Sequence, residues 1–130
     1  MDGVLYVNDS KATNVSSAAR GIEAFEGGVH AILGGSLKWG DFSGLGAVVA
    51  ARCRACYLIG AAAEQLSRDL AGAGVELLRS GDLETAMHQA SVAAQPGDVV
   101  LLSPACASFD QFRDYEERGD RFRELARREG

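Results

Sequence analysis

Short runs of apolar residues alternate along this chain with longer stretches in which apolar positions recur every three or four residues. Val4-Leu5-Tyr6-Val7, Val29-His30-Ala31-Ile32-Leu33, Ala55-Cys56-Tyr57-Leu58-Ile59, Val75-Glu76-Leu77-Leu78 and Val99-Val100-Leu101-Leu102 read as strands. Between them, Asn14 can cap a helix whose apolar positions are Val15, Ala18, Ala19, Ile22 and Phe25. Further helices are predicted over Gly44–Ala51 and Ala62–Leu70. Another follows Asp82, with Leu83, Ala86, Met87 and Ala90 on its inner face, and the last covers Gln111–Arg128 with Phe122, Leu125 and Ala126 aligned. Gly72-Ala73-Gly74 and Pro96-Gly97-Asp98 punctuate the pattern as turns. Strand and helix therefore alternate five times, and the strands are apolar enough to be buried on both sides. The predicted class is α/β: a single Rossmann-like domain, its sheet mostly parallel, with helices on both faces.

Length agrees with one domain, since 130 residues can bury a real core but not two ordinary ones. Hydrophobic residues make up 47% of the chain, which sets it apart from disordered sequences. The formal charge of −5 removes the basic footprint expected of a nucleic-acid or anionic-membrane binder, so neither partner is expected. No apolar run nears the roughly 20 residues that span a bilayer. Met1-Asp2-Gly3 carries no basic signal-peptide segment, and the odd count of cysteines, Cys53, Cys56 and Cys106, argues against a disulfide framework. A reducing, cytoplasmic location is the expectation. Cys53-Arg54-Ala55-Cys56 has C-x-x-C spacing but runs into a strand and lacks two further zinc ligands, so it reads as core. The mixed charges from Glu116 to Arg128, with Arg118 among them, read as a solvated helix face.

Candidate chemistry gathers in three loops that follow strands, where open parallel sheets bind ligands. Asn8-Asp9-Ser10-Lys11-Ala12-Thr13-Asn14 offers a carboxylate, an ammonium, hydroxyls and a helix start suited to an anion, or it is a plain turn with a cap. Gly34-Gly35-Ser36-Leu37-Lys38-Trp39-Gly40-Asp41-Phe42 permits close backbone approach and holds one mobile cation, Lys38, which is otherwise a solvated side chain. Ser103-Pro104-Ala105-Cys106-Ala107-Ser108-Phe109-Asp110 is built of small residues that suit an amide cradle, or is a tight loop capped by Asp110. Cys106 has no recognisable base, and His30 and His88 read as structural. Neither the nucleoside-triphosphate loop G-x-x-x-x-G-K-S/T nor the dinucleotide fingerprint occurs, and no carboxylate cluster suggests a metal cage. Spacing alone stops at an α/β domain that binds a small anionic ligand.

Taken together, N-D-S-K-A-T-N at 8–14, L-G-G…K…D-F at 33–42 and L-S-P-A-C-A-S-F-D-Q-F…Y-E-E-R-G at 102–119 resemble the C-terminal domain of the Mur ligases, in the branch that adds D-glutamate. The resemblance runs through essentially the whole of 1–130. It implies the third of three domains, with the UDP-binding and central ATPase domains absent. The implied reaction uses ATP with Mg2+, the metal ligands lying in the missing central domain. It activates the carboxylate of UDP-N-acetylmuramoyl-L-alanine as an acyl phosphate, which the amine of D-glutamate attacks. Carried over by motif, Thr13, Lys38 and Ser108 would hold the carboxylates of D-glutamate, and Phe109 and Tyr115 would line the same pocket. Asp9 would meet the ribose of ATP, and Lys11 the phosphates or the intermediate, which makes Lys11 and Lys38 the catalytic candidates. Such a domain alone is expected to be inactive. Two other readings stay open: a free-standing nucleotide- or anion-binding module, and a redox protein using Cys53 and Cys56.

Overall fold

The computed structural model describes residues 3–36, 41–108 and 110–129. Five strands, β1 (Leu5–Asn8), β2 (Val29–Gly34), β3 (Cys53–Ile59), β4 (Glu76–Gly81) and β5 (Val99–Leu102), form one all-parallel sheet in the order β1-β5-β2-β3-β4. The helices are α1 (Val15–Glu23), α2 (Gly46–Arg52), α3 (Ala63–Asp69), α4 (Leu83–Ala93) and α5 (Tyr115–Glu129).

The inner strands have hydrophobic side chains on both faces because both faces are covered. Ala31, Leu33, Cys56, Leu58, Val99 and Leu101 pack beneath Ile22 of α1, Val49 of α2 and Leu66 of α3. On the other side Ile32, Tyr57, Ile59, Val100 and Leu102 meet Leu83, Met87 and Ala90 of α4, with Phe122 and Leu125 of α5. α1 and α4 begin as predicted: the Asn14 and Asp82 side chains each accept an amide N–H of the first turn, from Ser17 and Thr85 at 2.8 Å.

Topology decides where a ligand can enter. After β4, α4 carries the chain back along the opposite face and inserts β5 between β1 and β2. α1 therefore leaves β1 on one face while α5 leaves the neighbouring β5 on the other. The register sets Asn8 level with Leu102, and Leu102 level with Ile32, so the two strands end together beneath that divergence. A crevice opens there, at the carboxyl edge of the sheet.

The last helix departs from expectation. It begins at Tyr115 rather than Gln111. Asp110 does not cap it, because its carboxylate accepts the N–H of Ala61 at 3.0 Å, and the Gln111 side-chain amide donates to Gly81 O at 2.9 Å. Capping falls to Asp114, which accepts the Glu117 N–H at 2.9 Å. Nor is the whole charged face solvated. Arg118 and Gly119 are buried, while Arg121 bridges Glu84 and Glu124 on the surface.

Candidate functional site

Main-chain bonds lace the three loops into one unit at the crevice. Asp9 N–H donates to Leu102 O at 2.8 Å, and Ala105 N–H donates to Ala12 O at 2.9 Å, joining the first loop to the third. Gly34 N–H reaches Pro104 O at 2.9 Å and Ser36 N–H reaches Ala107 O at 2.7 Å, joining the second loop to the third. The approach at Gly35 is so close that a Cβ there would lie 2.2 Å from Ala107 O, and its φ of +142° disfavours any other residue. Ala105 adopts φ 65°, a left-handed conformation that non-glycine residues avoid. Backbone strain of this kind persists only where the surroundings enforce it, and here they are the site loops.

Arg118 is the side chain behind this unit, and the charge pattern concealed it. It is fully buried. Its Nε donates to Ser10 Oγ at 2.9 Å and its two terminal nitrogens to Ser10 O at 2.8 Å and Cys106 O at 3.0 Å, so one planar fork grips the first and third loops. Burial pushes its pKa down to about 10, against the upward pull of Cys106 and Asp110. Ser10 is buried too and passes the contact on, its hydroxyl donating to Tyr115 O at 2.7 Å. One signal could have found Arg118: it stands four residues before Phe122 and seven before Leu125, on the apolar stripe of α5.

Of the residues singled out from the sequence, Asp9, Lys11 and Tyr115 come together. They line a cavity of about 230 Å³ against α5, which Asn8, Ser10 and Arg123 help to close. Asp9 and Lys11 also line a second cavity, of about 390 Å³, against Ser17, Arg20 and Gly21 of α1. The exposed Lys11 has no ion-pair partner among the described residues. Thr13 is half-buried just before the Asn14 cap. Ser108 is 2% exposed, and its hydroxyl finds no hydrogen-bond partner among the described residues. It does not line the cavity that Tyr115 lines. Lys38 and Phe109 lie outside the described residues. Among the described residues no three or more His, Cys, Asp or Glu side chains gather to hold a metal ion.

His30 sits at the opposite edge of the sheet as a buried structural group. Its Nε2–H donates to Asp98 at 2.9 Å, and in the neutral ring its Nδ1 accepts the Tyr57 hydroxyl at 3.0 Å. Arg54 and the Gln95 N–H complete the partners of Asp98, both at 3.0 Å. Cys53 and Cys56 are buried, and the hydrogen bond between them, together with burial, raises the Cys56 thiol well above its ordinary value. A protonated, enclosed thiol is the reverse of what a reactive redox pair needs.

Comparison with known proteins agrees with the loops. The family model described as "Mur ligase, glutamate ligase domain" matches residues 1–106. Three curated proteins with high similarity are each called UDP-N-acetylmuramoylalanine–D-glutamate ligase. That of Acidobacterium capsulatum is 54% identical over 95% of this chain, that of Salinibacter ruber 49% over 96%, and that of Pseudomonas fluorescens 51% over 94%. The matches cover 26%, 27% and 28% of those proteins, so the chain spans about a quarter of the length of the relatives it matches.

Proposed function

The chain belongs to the family of the Mur ligase glutamate ligase domain, and from that premise we propose that it is the C-terminal domain of an ATP-dependent ligase that joins D-glutamate to UDP-N-acetylmuramoyl-L-alanine in peptidoglycan synthesis. In that reaction the terminal phosphoryl group of ATP passes to the substrate carboxylate, giving an acyl phosphate and ADP. The amine of D-glutamate attacks the acyl carbon, a tetrahedral intermediate forms, and its collapse releases phosphate and the new amide. This domain orients the incoming amino acid and stabilises charge. ATP acts with Mg2+, which neutralises phosphate charge and whose ligands belong to a central domain outside this chain.

D-glutamate presents two carboxylates. A cation at Lys38 and hydroxyls at Thr13 and Ser108 suit such a dianion, whose stem would extend from Ser108 past Phe109 toward the separate cavity that Tyr115 lines. Asp9 can accept hydrogen bonds from the ribose hydroxyls of ATP, and Lys11 beside it, with no ion-pair partner among the described residues, can face the phosphates or the intermediate. The observation that carries the assignment is the Ser108 hydroxyl. A buried polar group without a partner is costly, and a ligand carboxylate arriving in the third loop would satisfy it. No helix among the described residues is long and apolar enough to cross a membrane. ATP and the UDP-linked substrate place the work in the cytoplasm.

The test is phosphate release by the complete ligase containing this domain, supplied with ATP, UDP-N-acetylmuramoyl-L-alanine and one amino acid at a time. Release should depend on D-glutamate and be absent with L-glutamate or diaminopimelate. The 130 residues alone should release none. Dependence on another amino acid would reassign the substrate. No release from the folded, complete protein would leave an anion-binding module.

A further inference from the structure

We propose that Ser103 and Gly21 are a positioning pair for Asp9, fixing one oxygen of its carboxylate so that the other is presented to the nucleotide. The proposal rests on the reading of Asp9 as the ribose contact and names what orients that contact.

Asp9 is the first residue beyond β1, and Ser103 the first beyond the neighbouring β5. Their backbones end level, so the side chains meet: the Ser103 hydroxyl donates to Asp9 Oδ2 at 2.9 Å. Ser103 is completely buried, whereas Asp9 is half-buried and reaches both cavities. Among the described residues the second carboxylate oxygen, Oδ1, accepts no hydrogen bond. One oxygen is thus anchored by Ser103, while the other, on a side chain that borders both cavities, accepts no hydrogen bond among the described residues.

Gly21 makes room for this arrangement. It lies in the last turn of α1, where glycine is still a poor helix former and its backbone needs no unusual φ. A Cβ at position 21 would stand 2.6 Å from Asp9 Oδ2 and 2.7 Å from Ser103 Oγ, closer than such atoms approach. Both contacts are to the anchored pair, so any larger residue would displace the hydrogen bond itself. A carboxylate that must accept hydroxyls in a fixed direction gains from losing its rotational freedom beforehand.

Four variants of the complete ligase test the assignment: Asp9→Asn, Ser103→Ala, Gly21→Ala and the Asp9→Asn/Ser103→Ala double variant. Ser103→Ala should raise KM for ATP by about ten-fold, the scale of one hydrogen bond to a charged group, and leave KM for D-glutamate within about two-fold of wild type. Gly21→Ala should do the same with the hydroxyl still present. In the Asp9→Asn background Ser103→Ala should add nothing, because Ser103 acts through the carboxylate. A raised KM for ATP in Asp9→Asn beside a wild-type value in Ser103→Ala would overturn the positioning role and leave that of Asp9 standing. Multiplying effects in the double variant would overturn it as well. An unchanged KM in Asp9→Asn would overturn the nucleotide role of Asp9 itself, and this proposal with it.

Discussion

Replacing Arg118 by methionine keeps an unbranched stem of similar reach and removes only the guanidinium, so it isolates what that group does for the site loops. Two opposing effects must be weighed. Burying a charge is expensive, as the pKa pushed down to about 10 records, and exchanging buried charges for apolar side chains can be neutral or stabilising. That outcome, however, requires the partners to be exchanged too. Here two of the three acceptors are the carbonyls of Ser10 and Cys106, which no side-chain substitution removes. Each buried carbonyl deprived of its donor costs about 1–3 kcal/mol, and relief of the buried charge returns part of the total. The net expectation is a loss of about 2–3 kcal/mol. At an unfolding entropy of roughly 2.1 cal/mol/K per residue, this lowers the Tm of a domain this size by roughly 7–11 °C. Thermal unfolding of the 130-residue chain, followed by circular dichroism, measures it. Arg118→Lys should fall between methionine and wild type, since an ammonium cannot reproduce the fork. A methionine variant as stable as wild type would refute the reasoning, because the loops would then hold together without the clamp.

Two further predictions concern groups the clamp does not touch. Ser108→Ala should leave the stability of the chain unchanged or raise it by up to about 1 kcal/mol, since it removes a buried hydroxyl that has no partner among the described residues, while the complete ligase loses affinity for D-glutamate; a clear drop in the urea midpoint would show that the hydroxyl is paired. Burial pushes the Asp98 carboxyl upward, but the Gln95 N–H, His30 and Arg54 outweigh it and hold the pKa below the ordinary 3.8. With the folded value below the unfolded one, the contribution of Asp98 is fully present above about pH 4 and is lost as pH falls through the folded pKa. Asp98→Asn should therefore lower the urea midpoint at pH 7 and flatten its decline between pH 4 and pH 2. A wild-type acid slope in the variant would refute this.

What the chain discloses locally and what it conceals divide along a physical line. Val99–Leu102 was predicted to the residue because four apolar residues after a Pro-Gly turn satisfy only a buried strand. That the three candidate loops would meet was legible for a related reason: their glycines and small polar residues interrupt strands at one edge of a parallel sheet, and topology does the rest. The start of α5 was not legible. Asp110 and Asp114 are equally good caps by type, and the choice is made by the Ala61 amide, 49 residues away in sequence, which takes the Asp110 carboxylate. Arg118 was hidden in a similar way, since its acceptors lie on loops 12 and 108 residues distant and its neighbours in sequence are the charges of a solvated face. Ser103 and Gly21 gave weaker signs, a hydroxyl at a strand end and a glycine within a helix, each of which has an ordinary explanation until the other is seen beside Asp9. Groups that would meet a ligand announce themselves by residue type, because chemistry restricts what can do the work. The groups that aim and hold them are chosen by distance in space, so the same aspartate or arginine reads as surface until the fold puts its partner in reach. In this domain the candidate ligand side chains could be named from residue type alone, whereas the contacts of Arg118, Ser103 and Gly21 with the loops around them required the structure.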